Sequence, residues 1–526
     1  MNDTNTVVNL LEHAFTTYPD KPAFTCLGKT LTYKELDSLS SQFAIFLQTQ
    51  TDLKPGDRLA IQLPNLLQYP VAAFGAMRAG IVIVNTNPLY TPREMQHQFS
   101  DSGAKALVTL ASQKAVLETV AKNTQIQTVI LTDVGDLHSA IAAGANSQSM
   151  PKSGLLSEVG FRDALAAGAN ADFTAVALEP HSLALLQYTG GTTGVAKGAM
   201  LAHQNLVANA RQCIAQSTAY FNEGAETYVA ALPLYHIYAF TVQMLTLIFR
   251  GGHNILIPDP RNTDALVEAV KPYAFTGFPG ISTLFASLCN NPSFQQLNFS
   301  ALKSTSAGGM ALSEKVATQW KALTGIEIAE GYGMTESSPV ISSNPPGRIQ
   351  SGTIGIPVPG TEVRIIDREG NTLPDGKAGE LCVRGPQVMQ GYWQRPEATA
   401  EVVSDDGWLR TGDIAIRQQD GYLKLVDRLK DIILVSGFNV YPNEIEEVAS
   451  SYPDILECAA ISVPDSQSGE AIKLFVVPTS NRFDADRLRD YLRTQLTPYK
   501  VPKHIALIDE LPKSNVGKIL RRELRD

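Results

Sequence analysis

Short apolar runs rich in β-branched residues recur along the first third of the chain: RLAIQL (58–63), GIVIVN (80–85), ALVTL (106–110) and TVILT (128–132). Each is too short for a helix, and stretches with helical spacing separate them, so the pattern predicts a parallel α/β sheet with covering helices. Residues 134–180 are rich in Ala, Gly and Ser and read as a variable connection. It hands over to the strand-like SLALLQY (182–188). Past Gly355, IGIPVPGTEVRIID (354–367) and GELCVRGPQVMQGYW (379–393) are punctuated by Gly and Pro and read as antiparallel strands, ending a large domain near Leu425. From Ile432 onward an amphipathic PNEIEEVASSYP (442–453) precedes ECAAISVP (457–464) and IKLFVVP (472–478), which predicts a small α+β domain. No tandem repeat is visible.

Composition sharpens this only a little. A chain of 526 residues is too long for one hydrophobic core and implies several lobes. Its 44% hydrophobic and 18% charged content is that of a globular enzyme. With 43 basic against 52 acidic residues, net charge −9, it is a poor nucleic-acid binder and carries no strongly polybasic membrane anchor. Any anionic ligand must be met by local positive sites. The five cysteines, Cys26, Cys213, Cys289, Cys382 and Cys458, are scattered and never form a CxxC pair, which fits a reducing compartment without disulfides or a zinc site. The N-terminal MNDTNTVVNLLEHAF lacks a basic region followed by an apolar one, so a cytoplasmic protein without a bilayer-spanning segment is expected.

The candidate chemistry begins at YTGGTTGVAKGAM (188–200). Gly190, Gly191 and Gly194 permit tight bends with N–H groups turned outward, Thr189, Thr192 and Thr193 add hydroxyls, and Lys197 adds a mobile charge, the make-up of a phosphate cradle. The Walker A pattern needs a hydroxyl directly after the lysine. Gly198 stands there instead. Taken alone, the run is equally readable as a solvated turn.

Four more segments follow in order: GYGMTESSP (331–339), GWLRTGDIA (407–415), DRLKDIILVSGFNVYPNEIE (427–446) and LPKSNVGKILRREL (511–524). Together with PNLLQYP (64–70) and VNTNPLYTPRE (84–94), they make the chain resemble the adenylate-forming ligases that include acyl-CoA synthetases, most closely the bacterial long-chain fatty-acid CoA ligases. The resemblance runs over essentially the whole chain. It implies a multi-lobed N-terminal domain over 1–426, a hinge at 427–431 and a mobile lid over 432–526.

It also implies a reaction and its parts. A carboxylate is joined to AMP with release of pyrophosphate, and the thiol of coenzyme A then displaces AMP; positioning and electrostatics dominate both steps. By resemblance, the cradle from Tyr188 to Ala199 holds the ATP phosphates, with Thr189, Thr192 and Lys197 as its foremost contacts. Tyr332 lies against adenine, Thr335 meets the α-phosphate, and Glu336 carries Mg²⁺. Asp413 and Arg428 take the ribose. Lys518 is the catalytic lysine of adenylation, Lys430 the pivot of the lid, and Ser436, Gly437 and Phe438 approach the pantetheine arm. Tyr235, His236, Phe240 and Gly308 belong to the acyl pocket, His236 as a lining or gating residue rather than a base. Arg410 and Leu429 depart from the usual fatty-acid ligase pattern, which has His and Lys there.

Three readings stay open beside this one. The same parts could activate a medium-chain or hydroxycinnamate-like acid, load a carrier protein, or survive in a silent scaffold. The scaffold reading has to explain why Lys518, Glu336 and Asp413 are all retained. A homodimer and a transient contact with the inner membrane surface are compatible with the resemblance and are not decided by the sequence.

Overall fold

The structure is a computed structural model and describes residues 5–139, 152–153, 156–189, 196–436, 438–480, 483–513 and 519–525. The apolar runs form strands where the pattern places them. Arg58–Gln62, Val82–Asn85, Ala106–Leu110 and Thr128–Thr132 pair in parallel within one sheet. Leu183–Thr189 joins the free side of Val82–Asn85, also in parallel, and then turns back through Lys197–Ala202 as an antiparallel partner. The core strands are buried along nearly their whole length, as strands covered on both faces must be.

The stretch 134–180 is more than a variable connection. It contains a strand, Leu156–Gly160, that extends the sheet in parallel beside Thr128–Thr132, and a helix, Phe161–Gly168. That helix packs on helix Tyr33–Gln50, with the Phe161 and Phe43 rings stacked 5.3 Å apart. Ala-rich composition concealed it, because alanine marks a closely packed helix face as readily as a loop.

A second sheet runs Ile356–Pro357, Val340–Ser343, Ile328–Gly333, Ser304–Ala307, Gly277–Gly280, Thr227–Ala230, His253–Leu256, Pro22–Cys26 and Lys29–Thr32 from side to side. A third, antiparallel throughout, holds Glu362–Ile366, Ala378–Arg384, Leu409–Arg417 and Leu423–Arg428. The last strand leads into the small domain. There, Ile455–Asp465 and Gly469–Pro478 make a long antiparallel pair covered by helices Pro442–Ser450 and Ala485–Gln495 around a core that includes Ile433, Ile445, Leu474 and Leu488.

Helix Pro92–Ser102 is the element that supports the Gly/Thr-rich run. Its start is set by a capping box, with Thr91 Oγ1 accepting from the Glu94 N–H and Glu94 accepting from the Thr91 N–H, and it stops at Gly103 with φ +60°. The helix brings His97 Nε2 within 3.1 Å of the Ala196 carbonyl and lets Asp101 accept the Tyr188 hydroxyl at 2.7 Å. Both flanks of the run are thereby held by one helix.

Candidate nucleotide and acyl site

Three of the predicted nucleotide residues meet where the second and third sheets come together. Tyr332 is the penultimate residue of strand Ile328–Gly333, and its hydroxyl donates to Asp413 Oδ2 at 2.6 Å. Asp413 and Arg428 are register partners on adjacent strands, with Arg428 Nε 3.6 Å from Asp413 Oδ1. The pairing orients one carboxylate between a phenol and a guanidinium. Burial, followed by the Asp413 charge, holds the Tyr332 phenol well above its ordinary range, so it stays a donor.

Thr335 and Glu336 follow in a short helical turn, Thr335–Ser337. The chain can fold back so tightly because Gly333 lies against the Pro339 carbonyl, only 2.0 Å from where a Cβ would stand. Glu336 is 6% exposed. Its Oε1 accepts the Tyr392 hydroxyl at 2.7 Å, and the Tyr392 ring in turn lies 5.2 Å from Lys197 Nζ. Burial raises the Glu336 carboxyl, and the nearby Asp413 charge adds to that while Lys197 opposes it. A buried carboxylate with surplus negative charge nearby is a site that gains from a cation.

Lys197 pairs directly with Thr189 across the hairpin, so the two described ends of the Gly/Thr-rich run face each other. Gly190, Gly191, Thr192, Thr193 and Gly194 lie outside the described residues. Tyr188 points inward: it is buried, its hydroxyl is bound to Asp101, and its ring approaches Gly198 to 3.1 Å of a would-be Cβ. Gly198 is therefore needed for packing, and Tyr188 acts as a prop under the run.

The residues expected for the acyl side lie on other elements. Phe240 is fully buried in the irregular π-type helix Ala239–Leu245, the kind of widened turn that often marks functional segments. Tyr235 accepts from Gln187 Nε2 through its carbonyl at 3.1 Å. His236 Nδ1 accepts the Tyr238 N–H at 3.3 Å, and the Tyr238 ring lies 3.3 Å from a would-be Cβ on Gly308. Substituting Gly308 would push on this aromatic wall.

At the domain boundary, Asp427 is 1% exposed and accepts the Arg428 and Asn443 N–H groups at 2.7 and 2.8 Å. Asp431, 6% exposed, receives Arg525 at 3.0 Å and Arg521 at 3.6 Å. Between these anchors Leu429 and Lys430 are exposed. Although the residue is exposed, partial desolvation, then the Arg428 charge, lowers the Lys430 ammonium. Ser436, in the left-handed region at φ +50°, starts the turn after Val435, which pairs with Phe438. Phe438 is 56% exposed and stacks on Tyr499 at 4.8 Å. Gly437 and Lys518 lie outside the described residues; Lys513 and Ile519, which bracket Lys518 in the chain, form an antiparallel bridge.

Two participants escaped the sequence reading. Tyr392 sits in GYW (391–393), within a stretch read only as antiparallel strand, although the strand ends at Arg384, and Asp101 sits on a polar helix face; nothing local marks either. Arg410, the departure from the family pattern, binds Glu380 at 2.5 Å, and Glu380 also accepts the Gly412 N–H at 3.2 Å. The substituted side chain thus steadies the strand Leu409–Arg417 that presents Asp413.

Residues 11–393 match the model of the AMP-binding enzyme family, and residues 444–518 that of the AMP-binding enzyme C-terminal domain. The chain belongs to the AMP-binding enzyme family. A long-chain-fatty-acid–CoA ligase of Salmonella typhimurium strain LT2 is 50% identical to it over 99% of this chain and 94% of its own length. A long-chain-fatty-acid–CoA ligase of Bacillus subtilis strain 168 is 37% identical over the same shares. Among solved structures, ATP-bound MatB from Rhodopseudomonas palustris superposes with a TM-score of 0.85 at 28% identity, covering 98% of each chain. The α/β architecture of a large domain followed by a small one is thus that of the family as well as of this chain.

Proposed function

We propose that this chain joins a long-chain fatty acid to coenzyme A through an acyl-adenylate. In the first step a carboxylate oxygen of the acid attacks the α-phosphorus of ATP, the bond to the β-phosphate oxygen breaks, and pyrophosphate leaves. In the second the sulfur of coenzyme A attacks the acyl carbon, the carbon–oxygen bond to AMP breaks, and the thiol proton is released. The observation that carries this reading is the pair of linked clusters Tyr332–Asp413–Arg428 and Glu336–Tyr392–Lys197. One presents an acceptor for vicinal hydroxyls, the other a carboxylate and an ammonium for a metal-bound polyphosphate.

The residues divide the work. Asp413 and Arg428 hold the ribose, Tyr332 flanks the base, and Thr335 meets the α-phosphate. Thr189, Lys197 and the run between them take the outgoing phosphates. Glu336 fits Mg²⁺: it is a single buried carboxylate, as suits an ion that keeps waters and takes its other ligands from phosphate oxygens. No group of three or more metal-ligating side chains occurs among the described residues. Held there, Mg²⁺ would supply positive charge to offset that of the departing pyrophosphate. Lys518 bridges the attacking carboxylate and the α-phosphate, and Ser436, Gly437 and Phe438 border the thiol's path.

The units of the chain are a body over 1–426, a hinge at 427–431 pivoting on Lys430, and a lid over 432–526. Tyr235, His236, Phe240 and Gly308 line the acyl side. No described helix is long and apolar enough to cross a membrane; contact with a membrane surface, where the substrate partitions, is part of the proposal, as is a homodimer. The 50% identity to a long-chain ligase supports the chain-length class. Turnover of a carboxylate panel with ATP and coenzyme A, scored by AMP release, tests it. Saturated C14–C18 acids are expected to lead, and a higher kcat/KM for hydroxycinnamates or C6–C10 acids overturns the assignment.

A further inference from the structure

Tyr392 stands between two charges that the nucleotide site has to keep apart at a set distance. Its hydroxyl donates to Glu336 Oε1 at 2.7 Å, and Lys197 Nζ lies over its ring at 5.2 Å. The backbone around it is sewn in on both sides. The Tyr392 N–H donates to Thr399 Oγ1 at 2.9 Å, Trp393 donates to the Gly198 carbonyl at 2.8 Å, and Met200 donates to the Gly391 carbonyl at 2.9 Å. Met389 closes the circuit, its N–H reaching the Glu336 carbonyl at 2.8 Å. The ring is thus locked to the strand that carries Lys197 and to the turn that carries Glu336.

The chemistry of the contacts suits a support rather than a competitor. A neutral phenol orients a carboxylate while leaving it its full negative charge, whereas an ammonium partner would compete with the divalent cation. A ring face retains an ammonium weakly enough to surrender it to phosphate.

We propose that Tyr392 is a positioning residue for the metal–nucleotide complex, its hydroxyl aiming Glu336 and its ring holding Lys197 in reserve for the phosphates. This rests on the AMP-forming reading of the site, but it can be tested apart from turnover. The experiment is calorimetric titration of the full chain with ATP, with and without Mg²⁺, in the absence of fatty acid and coenzyme A, for the parent, Tyr392→Phe and Tyr392→Leu. Tyr392→Phe is expected to bind metal-free ATP like the parent while the Mg²⁺ concentration that half-restores tight binding rises about tenfold. Tyr392→Leu is expected to show the same rise and, in addition, to bind metal-free ATP a few-fold more weakly.

Half-saturation by fatty acid and coenzyme A should stay within twofold of the parent in both variants. A Tyr392→Phe protein with parental melting behaviour and parental Mg²⁺ dependence overturns the proposal. So does an equal loss of affinity for all three substrates, which would make Tyr392 a packing residue. Should Tyr392→Leu fold poorly, Tyr392→Phe decides alone. If the parent binds ATP with Mg²⁺ yet releases no AMP with any carboxylate, the ligase reading fails while the comparison of Mg²⁺ dependence still stands.

Discussion

The nucleotide corner and the domain boundary are built on opposite plans although only a strand separates them. In the corner the charged and phenolic side chains are paired with one another: Tyr332 on Asp413, Arg428 on Asp413, Tyr392 on Glu336. At the boundary the partners sit at the two ends and the middle is bare. Asp427 fastens to the N-terminus of helix Pro442–Ser450 and Asp431 to Arg521 and Arg525, while Leu429 and Lys430 between them are exposed. A satisfied cluster is rigid and holds atoms for a charged transition state. In the proposed mechanism, a short bare stretch between two anchors is where the backbone is to turn. The contrast sets a template for charge against the proposed pivot.

The largest effect should come from the charge that the moving part delivers. Lys518→Ala is expected to slow acyl-adenylate formation by about a thousandfold, since a pairing at ~4 Å in a medium of effective dielectric ~20 contributes about 4 kcal/mol. A chemically supplied acyl-adenylate should still be converted to thioester at close to the parental rate. Separate rapid-quench assays of the two half-reactions check this. Equal losses in both would make Lys518 part of the lid's architecture. Arg521, three residues on, is clamped to Glu446 at 2.8 Å and faces Asp431, so the proposed rotation at 427–431 would carry Arg521 with the small domain.

Lys430→Pro attacks the contrast at its bare point. Lys430 lies in the short 3-10 turn Leu429–Asp431, whose backbone a proline tolerates at φ about −65° but whose rotation it blocks. Pyrophosphate release on the first turnover should survive, and thioester formation should drop by about a hundredfold or more. Parental thioester rates in a folded variant would mean the boundary does not pivot there.

Much of this division was legible in the sequence, and what was not has a physical reason. The strands at 58–62, 82–85, 106–110 and 128–132 announce themselves because a buried parallel strand must be continuously apolar. Asp413 and Arg428 are named by motif, and their register pairing then follows from the fold. Tyr392 and Asp101 could not be read, since each works through a partner 56 and 87 residues away in the chain. The strand and helix at 156–168 were hidden by Ala- and Gly-rich composition, which does not separate a tightly packed helix from a loop. The hinge at 427–431 with Lys430 as pivot is named by resemblance alone, and the anchoring of Asp427 and Asp431 on either side of it is visible only in the folded chain.

Within the template, the two carboxylates should fail in different ways. Glu336→Ala and Asp413→Ala are each expected to reduce ATP-dependent AMP release by roughly ten- to a hundredfold, the scale of losing a charged hydrogen-bonding or metal-orienting group. Raising Mg²⁺ well above saturation should partly restore Glu336→Ala and leave Asp413→Ala unchanged. Asp413→Ala should instead show a raised KM for ATP and weaker discrimination between ATP and its 2′-deoxy analogue. Equal rescue of both variants, or of neither in folded protein, would erase the distinction between the metal and ribose halves of the cluster.

The smallest effect probes what the template costs in stability. Glu330 lies on the same strand two residues before Tyr332, its Oε2 accepts the Leu312 N–H at 2.7 Å, and burial pushes its carboxyl up to about 7. An unfolded glutamate releases its proton near about 4.3. Between those two values the native chain binds more protons than the unfolded one, so this residue makes stability fall as pH rises, with the full loss present above pH ~7. Glu330→Gln keeps an oxygen for the Leu312 N–H and removes the charge. It should therefore melt close to the parent at pH 5, where most native Glu330 is protonated, and a few degrees higher at pH 8, a gain of roughly 1–3 kcal/mol that solvent at the partly exposed edge pulls toward the lower figure. Thermal melts of both proteins at the two pH values measure it. A gain that is the same at pH 5 and pH 8 would show that the glutamine packs better for reasons unrelated to charge, and that the corner carries no buried-carboxylate penalty at Glu330.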